Sequence, residues 1–320
     1  MRFKHTFNVF VDNFSVTYKQ LLYRLIISVI AGVTLFLGLS PFINTIIPEL
    51  NKLFESVRGF IMNLLDGNVA GIPAFKDNVE STYNALVELL KDKTSQFILS
   101  GLLFLLVYLI ANWFAALGNY AAAAVINEKM ALRANSPFLV TLIKNLKSAC
   151  VYSAVYVPLS ICYDLIIGVA MFFFIFYLLN SFLPFFLCVF LFATIITFSM
   201  AVKMTFASDW LPALVRGKRS YKEAFIYTFS RKNKSTFYVL SNFIVIILII
   251  LGLNVAALLC TLGVGLLITI PASYLILICF QLVNYYDREQ IKYFVDKNTI
   301  IKPEKERAVT REEFFRGEED

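Results

Sequence analysis

The chain has 320 residues, 59% of them apolar and only 16% charged, with a formal net charge of +7 and a mean hydropathy of +0.72. Soluble domains carry roughly 25% charged residues, and here the deficit is concentrated in long uncharged runs, which excludes an ordinary soluble fold. A chain of this kind is all-α and spans a bilayer.

Residues 1–24 open the chain as a cytoplasmic amphipathic segment. Phe3, Phe7, Phe10 and Phe14 recur at helical spacing, with Arg2, Lys4, His5, Asp12 and Asn13 between them. The pattern describes a helix lying in the inner membrane interface, with packing on the bundle as the alternative. From Arg24 to Glu49 no residue is charged between the two ends, and one span of about 20 residues fits there. A cleavable signal peptide is the competing reading; the long polar leader and the missing small-x-small site weigh against it.

Residues 48–96 predict an extracytoplasmic helical hairpin. Leu53, Val57, Phe60, Ile61 and Leu64 form one stripe, and Phe75, Val79, Tyr83, Leu86 and Leu90 the other. Asp66, Gly67, Asn68, Gly71 and Pro73 supply the turn. The hairpin could cap the bundle or bind a partner.

Uncharged runs also cover Thr94 to Asn127, Ser148 to Lys203 apart from Asp164, and Ser235 to Tyr286. The last two are each long enough for two spans. Six spans follow, at 25–47, 97–119, 157–179, 183–202, 237–259 and 264–286, inside a transmembrane domain of residues 25–290. Residues 128–156 read as an approach helix at the inner interface, with Phe138, Leu142, Ile143, Leu146 and Cys150 on one face, interrupted by Pro158.

Charge sets the orientation. Residues 1–24 carry four Lys/Arg against one acid, 128–147 four against one, and 203–234 eight against two, whereas 49–93 carry five against seven. The positive-inside rule puts both termini in the cytoplasm of a plasma (inner) membrane protein. The cytoplasmic hairpin at 203–235 is strongly patterned. Pro212 suits a first helical turn, Gly217 an end, and Ser220 with Glu223 a capping box. Trp210, Pro212, Arg216, Lys218, Arg219 and Glu223 form a candidate cytoplasmic interface along the inner surface. The tail, 291–320, is a charged extension expected to fray into disorder.

Two stretches carry a resemblance: Gly118-Asn119-Tyr120-Ala121-Ala122-Ala123-Ala124 leading to Lys144–Lys147, and the Trp210-Leu211-Pro212 to Glu223-Ala224 hairpin. Over residues 100–290 the chain resembles uncharacterised polytopic bacterial membrane proteins of the YesL-like kind, and those grouped with the membrane domain of glycerophosphodiester phosphodiesterases. The resemblance implies a bacterial plasma membrane. The catalytic domain of the second group is a separate unit with no counterpart here.

Asp164 is the sole charged residue inside a proposed span, and such residues often mark ion pathways. No Lys, Arg or His lies inside a span to pair it, although Lys144, Lys147 or Arg216 could reach it from the inner interface. With Asn112 and Asn254 it makes a candidate intramembrane polar site. Ala111, Ala115, Gly118 and Ala122 form a small-residue stripe, a candidate helix-packing face. Catalytic signatures are missing: His5 is the only histidine, no P-loop occurs, and Gly263-Val264-Gly265 falls at a span connection. Cys150, Cys162, Cys188, Cys260 and Cys279 lie in or beside apolar runs, so disulfides and thiolate metal sites are not expected.

The sequence therefore predicts a non-catalytic protein that binds or organises membrane or envelope components. The alternative is a permease or export component using the polar site near Asp164. Expected partners are the anionic headgroups of the bilayer's cytoplasmic face and a membrane protein or a second copy. Neither cofactor nor nucleic acid is expected.

Overall fold

The computed structural model describes residues 2–65, 71–134, 136–179, 185–217, 220–227, 233–296 and 299–302. Helices account for nearly all of them: α1 (Arg2–Asp12), α2 (Ser15–Leu65), α3 (Gly71–Asp92), α4 (Thr94–Leu132), α5 (Phe138–Lys144), α6 (Leu146–Leu179), α7 (Phe185–Ala207), α8 (Trp210–Arg216), α9 (Tyr221–Tyr227), α10 (Asn233–Cys260) and α11 (Leu266–Arg288). A two-stranded antiparallel ribbon, β1 (Tyr293–Phe294) and β2 (Ile300–Ile301), follows with Tyr293 opposite Ile301.

Six helical segments among the described residues are long and apolar enough to cross a bilayer. They are Ser15–Pro48, Thr94–Leu132, Leu146–Phe174, Phe190–Arg216 (which runs on through α8), Thr236–Cys260 and Leu266–Arg288. The chain is a multi-pass all-α membrane protein. The first and third of these helices begin before their charge-free runs, because a helix continues through a charged residue when its backbone bonds are satisfied internally, whereas the fourth and sixth begin later than expected, at Phe190 and Leu266. Pro158 does not interrupt the third span; it lies inside α6, as Pro41 and Pro48 lie inside α2. The break falls instead at Asn145, which caps α5 by bonding the Thr141 carbonyl. Ile143 and Leu146 of the expected approach face are exposed, whereas Phe138 and Thr141 are buried.

The chain divides into two compact units. One comprises residues 27–111. Within it α2 runs unbroken into the first arm of the expected outer hairpin, and Phe60 stacks on Phe75 of α3 with centroids 4.4 Å apart. Phe42 packs on Phe97 of α4, and Gly38 leaves room for Leu103. The inward face of α3 carries Thr82 rather than Tyr83, which is 65% exposed; the Thr82 hydroxyl is satisfied by the Asn78 carbonyl of its own helix. The turn at 66–70 lies outside the described residues.

The other unit comprises residues 1–26 and 112–320. α11 is its central helix, with every residue from Ile278 to Tyr286 buried. Around it pack α1, α8 and α10; α10 in turn packs on α7, and α6 on α7 and α8. The N-terminal segment does not simply lie in the interface: Thr6, Val9 and Phe10 of α1 are buried and Phe3 stacks on Phe280 of α11. The start of the tail is likewise folded. Tyr293 and Val295 are almost wholly buried, and the Tyr293 hydroxyl donates to Asp287 at 2.7 Å. Arg2 joins both, reaching Asp287 at 3.3 Å and donating to Asn284 at 2.7 Å. The ribbon turns on Gln290, which takes a left-handed φ of 51°, so it does not extend α11. Residues 303–320 of the expected disordered tail lie outside the described residues.

Candidate functional site

Thr17, Gln20 and Arg24 share one face of α2, spaced by three and four residues. Gln20 and Thr17 are fully buried and Arg24 is half-buried. Asn119 of α4 joins them: its Oδ1 accepts from Gln20 Nε2 at 2.7 Å and from Arg24 Nη2 at 2.8 Å. The guanidinium lies over the ring of Tyr274 on α11, 3.6 Å from its centroid, a geometry in which the ring's negative face attracts the cation.

α6 contributes the next polar row. Ser153, Tyr156, Ser160 and Asp164 recur at three- and four-residue spacing along it. Tyr156 sits beside Ser160 and within electrostatic range of Tyr274, Asp164 and Arg24. Two turns on, Asp164 is gripped by Lys203 of α7, whose Nζ donates to both carboxylate oxygens at 2.8 and 2.6 Å. One residue earlier the Tyr163 hydroxyl donates to the Ser199 carbonyl at 2.8 Å. The result is a polar seam drawn from α2, α4, α6, α7 and α11.

The charges on this seam do not cancel. Asp164 and Lys203 neutralise one another, but among the described residues no carboxylate pairs with Arg24. Its Nε, the Oε1 of Gln20, the Oγ1 of Thr17 and the Oγ of Ser153 are buried with no hydrogen-bond partner among the described residues. A guanidinium inside a span is costly to desolvate and is kept only where something meets it. Fixing it with Asn119 and Tyr274 without neutralising it leaves a preformed cationic point.

The expected pairing of Asp164 is thus corrected. A cation does lie in the spans beside it, and it is Lys203 rather than Lys144, Lys147 or Arg216. Lys144 faces Glu128 at 3.9 Å, and Arg216 lies over Tyr286 at 5.7 Å. Asn112 is half-buried. Asn254 bonds Ser273 of α11 at 3.1 Å, whereas Asp164 bonds Lys203 of α7. On the small-residue stripe Gly118 and Ala122 are buried, and Ala111 and Ala115 half-buried. A Cβ on Gly118 would lie 2.5 Å from the Tyr23 ring.

The α8–α9 hairpin, expected on the cytoplasmic side, has the helix ends read from the sequence. Gly217 is left-handed at φ 67°, and Ser220 and Glu223 exchange capping bonds of 3.1 and 3.3 Å. Its placement differs, however: Trp210, Leu211, Pro212, Ala213 and Leu214 are all buried. The helix is drawn in because Asp209, fully buried, forms a two-pronged ion pair with Arg288 of α11 at 2.8 and 3.0 Å. Of the candidate interface residues only Glu223 is exposed, Arg216 is half-buried, and Lys218 and Arg219 lie outside the described residues.

Sequence reasoning missed Arg24 and Lys203 because each ends a charge-free run and was counted as a loop charge. The usable signal was Gln20 at one helical turn from Arg24, a polar face continuing into an apolar run.

Fold and seam together define a multi-pass helical membrane protein with a fixed cation in its spans. No protein-family model, curated protein or solved structure matches the chain.

Proposed function

We propose that the chain is a non-catalytic membrane protein that binds or organises other membrane or envelope components, and that the seam around Arg24 is where binding occurs. The observation that carries this reading is the Arg24 guanidinium, held between Asn119 and Tyr274 with no carboxylate partner among the described residues. Intramembrane cations usually meet an anion from the protein or from a ligand, and here the protein's nearby carboxylate, Asp164, is taken by Lys203.

The membrane is the plasma membrane of a bacterium, with both termini cytoplasmic. The basic segments support this, as does the packing of α1 beside the terminal ribbon at one end of α11. The alternative, a permease or export component, has weaker support because Asp164 and Asn254 bond to different helices.

Native mass spectrometry of the tagged protein in mild detergent tests the reading. It predicts a membrane component that stays bound to the wild type and is lost in Arg24→Gln. Wild-type protein that emerges bare, or a component unaffected by the substitution, would contradict it.

A further inference from the structure

We infer that the Arg24 seam takes the phosphate-type oxyanion of an anionic amphiphile, an inference that rests on the binding reading above. A guanidinium is a planar fork of five donors matched to oxyanions with several acceptor oxygens. In Arg24 one nitrogen, Nη2, is committed to Asn119, and the buried Nε has no partner among the described residues, so a ligand oxygen that satisfies it must enter the seam. The Tyr274 ring beneath it and the Asn119 bond beside it hold its plane, which lowers the ordering cost of a ligand that meets it. Gln20, fully buried at the base of the same face, anchors Asn119 in the orientation that receives Arg24.

The ligand's other end follows from the flanking residues. Leu25, the residue after Arg24 on α2, is 50% exposed. In a span such a surface faces hydrocarbon, so an anion arriving at Arg24 from that side brings an apolar tail. The charge of the seam selects among headgroups. With Asp164 neutralised by Lys203, the seam carries one net positive charge, which favours a headgroup of net negative charge over a zwitterion.

The test uses the full chain in non-ionic detergent, titrated with dioleoyl phosphatidylglycerol, dioleoyl phosphatidylcholine and inorganic phosphate, with retained ligand read by native mass spectrometry. Wild-type protein retains one phosphatidylglycerol at about tenfold lower concentration than Arg24→Gln, a difference of about 1.4 kcal/mol. Lys222→Gln, which removes an exposed cation outside the seam, behaves as wild type. Arg24→Lys keeps the charge and the fold but falls between, because an ammonium cannot fork. Should Arg24→Gln fail to fold, the gap between Arg24→Lys and wild type carries the test.

Inorganic phosphate that binds where phosphatidylglycerol does not would keep the oxyanion and overturn the amphiphile. Equal retention of phosphatidylcholine, or equal retention by Arg24→Gln, would overturn the inference. A protein or uncharged amphiphile lost in Arg24→Gln would overturn it while leaving the binding reading standing.

Discussion

Gly118 and Tyr23 meet so closely that the missing side chain is itself a structural element: the ring fills the space a Cβ would take, and its hydroxyl donates to the Phe114 carbonyl at 3.0 Å. Gly118→Val forces the ring out and breaks that bond. Overpacking of this sort costs about 1–3 kcal/mol, so we expect a lowered thermal midpoint in detergent, read by scanning fluorimetry, with Tyr23→Ala restoring part of it. The Asp164–Lys203 pair obeys a different logic. Neutralising one partner strands the other's charge, whereas removing both leaves a neutral helix contact. Asp164→Asn alone should lower the yield of folded protein, and Asp164→Asn with Lys203→Gln should recover it, measured by size-exclusion chromatography. An equal loss in both would mean that the carboxylate acts other than as the lysine's counter-ion.

At the scale of elements, one end of the unit formed by residues 1–26 and 112–320 is a lock of short pieces around α11. α8 enters it through Asp209 and Arg288, and α1 and the terminal ribbon enter through Arg2, Asp287 and Tyr293. Breaking a buried ion pair from one side costs about 3–5 kcal/mol. Asp209→Asn should therefore expose the α8–α9 hairpin to protease well before wild type. Deleting residues 2–12 should release the ribbon, seen as rapid amide exchange at Tyr293 and Val295. The existence of α8 and α9 was legible because Pro212, Gly217, Ser220 and Glu223 are local signals acting within one turn. Their burial was not legible, since it depends on Asp209 meeting a residue 79 positions away. The same limit hid the folding of the ribbon and left α1 undecided between the interface and the bundle: Tyr293 looks like an ordinary apolar residue in a polar segment until α11 is placed beside it.

Across the whole molecule, the six spans were legible because the bilayer imposes a length on every apolar run. The seam was not, because it depends on where helices begin relative to their charged ends. Arg24 belongs to a span by helix continuity and to a loop by charge counting. The topology gives its own prediction: a lone cysteine at Ser81, on an exposed position of α3, should react with an impermeant maleimide added outside intact cells, and one at Lys222 should react only after lysis. The claim on which the functional account turns is that Arg24 meets an anion that is not part of the chain. Solid-state dipolar recoupling between guanidinium nitrogen-15 and lipid phosphorus-31, on protein reconstituted in phosphatidylglycerol-containing bilayers, measures that contact directly. The account predicts a dephased arginine signal corresponding to a nitrogen–phosphorus distance of about 4 Å, as for a charge-assisted hydrogen bond, that disappears in Arg24→Gln. An arginine spectrum with no phosphorus-dephased signal, or one unchanged by the substitution, would contradict it.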